Sequence, residues 1–290
     1  MVANGSIVLI NFVDWFRRGK LSSTDLILIS LGFSRLLHLA VVILEVNAFI
    51  LQKNKLNYIV VMLIGIWTFM NTVNLWFSAC LSVFYLAKIA IFSHPLFLQV
   101  KQRFSGLVPW LLLGSVVLSV VVAIIVLTSW SYGLSTCNPY ISHSSNGSSE
   151  EMNMPHVCMR IIALIATFDF VPFLVFLSSS LLLICSLWKH MRRVRCNGTG
   201  TRDLNTQAHL SAIKALASSG VLHLISFIAL TSESVLSWSN RDTGVIVLFN
   251  VSAVYPSGHG IILILMNPKL KQAWVRMVHL LKCRLNKVPS

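Results

Sequence analysis

Six stretches of this chain are apolar over about the thickness of a lipid bilayer, and that feature decides most of what it can fold into. A helix needs about 20 mostly apolar residues to cross ~30 Å of hydrocarbon. Residues 25–49, 58–91, 105–130, 160–188, 208–238 and 243–266 meet that requirement. Lipid offers the backbone no hydrogen bonds, so a spanning segment must be a helix or part of a closed barrel. Runs of this length predict helices. A seventh apolar run, residues 2–16, reaches only about 22 Å at about 1.5 Å per residue. It is expected to be the inner part of a helix 1 that is truncated at its outer end, with further residues encoded upstream of Met1. The expected fold is therefore all-α: one domain, residues 1–290, forming a bundle of seven transmembrane helices. Composition agrees, because only 11% of the residues are charged, against about 25% in a soluble domain.

The net charge of +14 points to topology rather than to nucleic acid. A nucleic-acid binder needs a solvated basic face, whereas these basic residues lie between spans. Lysine and arginine gather on the cytoplasmic side of membrane proteins. One set of connections holds eighteen of them: Arg17, Arg18, Lys20, Lys88, Lys101, Arg103, the group from Lys189 to Lys214, and the tail from Lys269 to Lys287. The opposite set holds four: Lys53, Lys55, Arg160 and Arg241. The first set is expected inside, with the N-terminus outside and the C-terminus in the cytoplasm of a multi-pass plasma-membrane protein. Residues 269–282 read as a short amphipathic helix lying on the inner lipid surface. The outer loop 131–157 carries Asn146-Gly-Ser, an acceptor pattern for N-glycosylation. Cys137 and Cys158 flank that loop and can pair if it faces an oxidising space.

Ionisable groups inside a bilayer are expensive, by about 2.5–3.5 kcal/mol or more, so each needs a reason. Arg35 lies about ten residues, or ~15 Å, into helix 2 from its inner end, too deep to reach the headgroups easily. Asn4 on helix 1 and Ser257 and His259 on helix 7 fall at comparable depth. A polar knot of these groups is expected, with the guanidinium bonded to Asn4 or Ser257, acting as a structural clamp, as a switch, or as both. On helix 3, Trp67, Asn71 and Asn74 are spaced i, i+4, i+7 and share one face. The asparagines suit interhelical glue; Trp67 and Asn71, nearer the outer side, also suit a ligand pocket. Glu45, Asp169 and Glu233 lie toward outer helix ends. Facing inward they give an outer cavity a negative field suited to cationic or hydrogen-bonding ligands; facing outward they only mark the water interface. Pro172 and Pro256 are expected to break their helices.

No enzyme emerges from this pattern. Ser257 and His259 are two apart and point in different directions on a helix, and neither a GxSxG elbow nor an HExxH pair accompanies them. His38, His223 and His259 are isolated singletons on three helices. No metal or cofactor is called for. A small-solute transporter or channel is the alternative class, although no repeated pattern of broken helices supports it.

Several long segments are distinctive: NGSIVLINFVDW and RGKLSSTDLILISLGFSRL in helices 1 and 2, and WTFMNTVNLWFSACLSVFYLAKIAIFSHPLF in helix 3. SLWKHMRR and GTRDLNTQAHLSAIKAL flank the third inner loop, and YPSGHGIILILMNPKLKQ forms helix 7 and its exit. In these segments the chain resembles the type 2 taste receptors, the bitter-taste family of G-protein-coupled receptors. As in that family, FYLAK stands where other receptors carry DRY, and PSGHGIILIL where they carry NPxxY. The outer start of helix 3 has no cysteine. The family often has HPSGHS; here Tyr255 and Gly260 replace its first histidine and its last serine. The resemblance implies a receptor for small bitter compounds, coupled to a heterotrimeric G protein of the gustducin type. It implies that Trp67 and Asn71 are ligand contacts; Glu233 and Asp169 are further pocket candidates by their place toward the outer helix ends, not by the resemblance. It also implies that Tyr85, Lys88, His209 and Lys214 flank the G-protein face, and that Pro256-Ser-Gly-His forms a bend in helix 7.

Overall fold

The computed structural model of the chain describes residues 1–51, 58–89, 95–133, 156–196, 202–236 and 255–285. Among these residues the regular structure is entirely helical. The elements are α1 (Val2–Arg18), α2 (Ser23–Leu51), α3 (Tyr58–Ile89), α4 (Pro95–Gly133), α5 (His156–Cys196), α6 (Arg202–Leu236), α7 (Tyr255–Met266) and α8 (Pro268–Leu285). Five of them, α2 to α6, are long and apolar enough to cross a membrane. The start of the run 243–266 lies outside the described residues, as do Cys137 and Asn146. Cys158, His209 and Glu233 lie on described helices, but their side chains are outside the description.

The end of α1 and the starts of α2 and α8 are set by local chemistry. α1 stops at Gly19, whose φ of 64° is left-handed and whose N–H bonds the Trp15 carbonyl at 2.9 Å. Glycine adopts this conformation without a Cβ penalty. Arg17 and Arg18 occupy the last turn, where positive charge favours the helix dipole. α2 begins after Ser22, whose Oγ accepts the Asp25 N–H at 3.1 Å, a side-chain cap for an otherwise unpaired donor. α8 repeats the device. Asn267 Oδ1 accepts the Lys269 N–H at 3.0 Å, and Pro268 fills the first helical position, where its missing N–H costs nothing.

α5 runs unbroken through Pro172, contrary to the expected break. The proline removes only the hydrogen bond to the Phe168 carbonyl, and the long apolar helix on either side holds the axis. α4 likewise runs through Pro109.

α3 is the central element, packed against α2, α4 and α5, while α1 lies on α2 and α8. The main apolar core gathers Leu28, Leu31, Phe77, Leu81, Val108 and Leu263. A second cluster of Leu183, Leu187 and Leu216, with Tyr85 and Met266 packed on it, brings α5, α6, α3 and α7 together near their inner ends. Polarity is arranged for lipid. Trp110, Val117, Leu181 and Ile228 face outward, whereas Asn4, Asn71, Asn74, Ser78, Ser119, His38, His223 and His259 are buried. Interhelical polar contacts hold such bundles together; Ser82 Oγ on α3 lies 2.8 Å from both Ser179 Oγ and Ser180 Oγ on α5.

Candidate functional site

The polar face of α3 organises the middle of the bundle. Asn74 Nδ2 donates to His38 Nδ1 at 3.0 Å, and its Oδ1 lies 2.7 Å from Ser34 Oγ, so both contacts run to α2. One turn outward, Asn71 Nδ2 donates to Asp169 Oδ2 at 3.0 Å, and Thr72 Oγ1 lies 3.4 Å from Asp169 Oδ1, so these contacts run to α5. The Asp169 carboxylate is thus buried against two α3 donors. Both of its oxygens thus find neutral partners on α3. Trp67 stands half-buried above, its indole edge-on to His38 at 6.2 Å between centroids. Glu45, on the outer part of α2, is half-buried, with one carboxyl oxygen free of hydrogen bonds.

A cavity opens between α2, α3, α6 and α7. His38, Asn71, Asn74, His223, Ser226 and Tyr255 form its polar lining, and Leu75, Phe227, Leu230 and Pro256 its apolar lining. It offers about 10 Å³ to the centre of a water-sized sphere, about enough for one water. Asn71 lines it, whereas Trp67 and Asp169 do not and instead contact its lining residues His38 and Asn71. His223 was passed over in the sequence as an isolated histidine. It is fully buried on the cavity wall, with neither ring nitrogen hydrogen-bonded, and is enclosed by Phe176 at 4.4 Å, Tyr255 at 4.5 Å and Phe173 at 5.3 Å between centroids.

Below the cavity lies Arg35, 0% exposed. Its Nη2 donates to Ser78 Oγ at 3.1 Å and to His259 Nδ1 at 2.6 Å. The guanidinium carbon sits 5.5 Å from the centre of the Tyr255 ring, within cation–π range. Tyr255 Oη lies 3.2 Å from the same His259 nitrogen. His259 Nδ1 therefore acts as acceptor, because arginine can only donate. The expected bond from Arg35 to Asn4 or Ser257 is replaced by these two. Ser257 is two residues from His259 and faces another side of α7. Asn4 instead donates through Nδ2 to the Pro256 carbonyl at 3.1 Å, tying α1 to the first turn of α7. A Cβ on Gly260 would stand 2.5 Å from Asn4 Oδ1, so the glycine makes that approach possible.

At the inner end, Tyr85 is half-buried against the Leu183–Leu187–Leu216 cluster, while Lys88 and Lys214 are exposed. Lys88 Nζ lies 5.7 Å from the centre of the Phe84 ring. A further cluster was read in the sequence only as topology. Lys269 Nζ meets Asp14 Oδ2 at 2.8 Å, Asp25 Oδ1 at 2.9 Å and Asn11 Oδ1 at 3.1 Å. One lysine thereby joins the start of α8 to α1 and α2. The signal available was the presence of two carboxylates, Asp14 and Asp25, on an otherwise basic face.

Apolar helices around a central α3, an interior of amides, imidazoles and hydroxyls, and a juxtamembrane helix after α7 define a multi-pass helical membrane protein of the seven-helix receptor class. The family model described as "Taste receptor protein (TAS2R)" matches residues 1–282, and the chain belongs to that family of G-protein-coupled taste receptors. It is 35% identical over 295 residues to taste receptor type 2 member 8 of Papio hamadryas, covering 98% of this chain and 92% of the relative. The member 8 protein of Gorilla gorilla gorilla is 36% identical with the same coverage. Taste receptor type 2 member 7 of Macaca mulatta is 35% identical over 286 residues, with 96% and 88% covered. Small-molecule ligands and coupling to a G protein follow from this membership, and enzymatic function does not.

Proposed function

We propose that this receptor binds small bitter compounds in the outer half of its bundle and activates a heterotrimeric G protein of the gustducin type. The observation that carries the reading is the juxtaposition of Asn71 and the buried Asp169 carboxylate beside a lined cavity between α2, α3, α6 and α7. Trp67, half-buried at the rim of the same face, supplies a broad rigid surface that tolerates varied ligand shapes. Asn71 supplies a donor and an acceptor, and Asp169 a negative charge that favours amine-bearing ligands. Glu233, farther along α6, is a further candidate for ligand recognition. The cavity is narrow, so ligand entry moves α6 and α7 apart from α3, and the shared aromatic packing of His223 and Tyr255 carries that motion inward.

Topology in this reading has the N-terminus outside and the basic ends of the helices in the cytoplasm, against anionic lipid. Tyr85, Lys88, His209 and Lys214 then flank the opening that receives the G protein, and Asn146 carries the glycan on the outer loop. The test is a calcium response to a panel of bitter compounds in cells expressing the receptor with a gustducin-type G protein. Trp67→Ala and Asn71→Ala each raise the effective concentration of several agonists at least tenfold at unchanged surface expression. Unchanged potency across all agonists in both variants would move the site elsewhere.

A further inference from the structure

We propose that His223 selects among the ligands of this receptor by hydrogen-bonding a neutral group of hydroxyl size, a role that rests on the pocket proposed above and narrows its ligands to a chemical class. His223 on α6 is 0% exposed, and neither of its ring nitrogens has a hydrogen-bond partner. A neutral imidazole carries one N–H donor and one acceptor nitrogen. Burying both without partners costs free energy that an apolar ring of the same shape would not incur. Packing does not call for the nitrogens either. The ring lies 4.4 Å from Phe176, 4.5 Å from Tyr255 and 5.3 Å from Phe173 between centroids, a setting that a phenylalanine would fill. These three rings also hold the imidazole in place, so it cannot turn away to find a partner elsewhere.

Other polar groups of the cavity wall are already engaged. Asn74 bonds His38 and Ser34, Asn71 donates to Asp169, and Tyr255 Oη lies 3.2 Å from His259 Nδ1. His223, on the same wall, keeps a donor and an acceptor open. The space beside it sets the size of what it meets. It admits a body of about the dimensions of one water molecule, which suits a hydroxyl or the N–H of an amide and excludes a carboxylate, a sulfonate or a ring. Charge narrows the choice further. The Arg35 guanidinium lies against the Tyr255 ring that lines the cavity, so an ammonium group there meets a like charge in a medium of low dielectric constant. Leu75, Phe227 and Leu230 then face the carbon skeleton that carries the polar group. A site whose buried polar atoms are paired only by the ligand discriminates strongly against an analogue that lacks the group.

The test compares ligands in pairs. A panel of bitter compounds is arranged so that each hydroxyl-bearing member stands beside its deoxy analogue, and calcium responses are recorded in cells expressing the full receptor. On the native receptor the hydroxyl member of the active pairs is about tenfold more potent. On His223→Phe the two members converge to within about twofold, because the hydroxyl member loses its partner. A preference that survives in His223→Phe, while Trp67→Ala and Asn71→Ala weaken both members, overturns the role of His223 and leaves the pocket in place. Potencies indifferent to Trp67 and Asn71 as well overturn the pocket itself. Should no pair activate the receptor, thermal unfolding in lipid nanodiscs without agonist decides. His223→Phe melts at or above the native temperature if the nitrogens are kept for ligands. A fall of more than about 3 °C, or failure of the variant to accumulate, shows that the imidazole holds the resting bundle together and overturns the proposal.

Discussion

Arg35, Asn4 and Gly260 illustrate how single residues set the geometry of this bundle. A buried arginine in a membrane helix is readable from sequence, because its cost demands partners. Which partners it finds depends on the azimuth of each neighbouring helix, and helical spacing alone does not supply that. Asn4 and Ser257 are at the right depth, yet Ser78 and His259 hold the side chain. Gly260 follows the same logic in reverse. The Asn4 oxygen sits 2.5 Å from where its Cβ would be, so Gly260→Ala forces α1 away from α7. Overpacking of this kind costs about 1–3 kcal/mol and lowers the Tm of the purified receptor. Asn4→Ala in the same chain removes the obstructing oxygen, and the two changes together cost less than their sum. Additive losses would mean that the α1–α7 contact is looser than the distances indicate.

Whole elements were legible wherever a long apolar run ends in charge. Helices α2 to α6 coincide with the apolar runs because lipid leaves a chain of that composition no other backbone solution. The break expected at Pro172 did not occur, since one lost hydrogen bond is small beside the packing of a long helix. The attachment of α8 was not legible, because Lys269 looks like any other lysine of the basic tail until α1 and α2 bring Asp14 and Asp25 to it. Its side chain is 29% exposed, so each pair is worth only about 1 kcal/mol or less, but the loss leaves two carboxylates facing each other. Lys269→Gln therefore frees the start of α8. Hydrogen exchange of residues 270–280 accelerates several-fold while that of α3 is unchanged, and raising the salt concentration weakens the native contact in the same direction. Equal exchange in variant and native receptor would assign the position of α8 to its apolar face alone.

At the scale of the molecule, one central helix joins the polar cavity to the apolar cluster at the other end of the bundle. Asn71 and Asn74 face the cavity, and Tyr85 packs at the inner end of the same α3. The cluster of Tyr85, Leu183, Leu187, Leu216 and Met266 closes that end, and the proposed function has α6 leave it on activation. Lys88 and Lys214 are exposed beside the closure, where acidic partner surfaces are attracted. The spanning helices were open to sequence reasoning, because apolar length reports on the bilayer directly. The cavity wall was not, because His223 gains its significance only from Phe173, Phe176 and Tyr255 on other helices. The central claim is that ligand in the outer half drives nucleotide exchange at the inner face, and reconstitution in nanodiscs with a purified gustducin-type G protein tests it most directly. Agonist accelerates GTP uptake at least tenfold on the native receptor, and reversal of Lys88 and Lys214 to glutamate abolishes the acceleration while agonist binding persists. Saturable agonist binding with no exchange on the native receptor, or undiminished exchange on the double variant, would contradict the account.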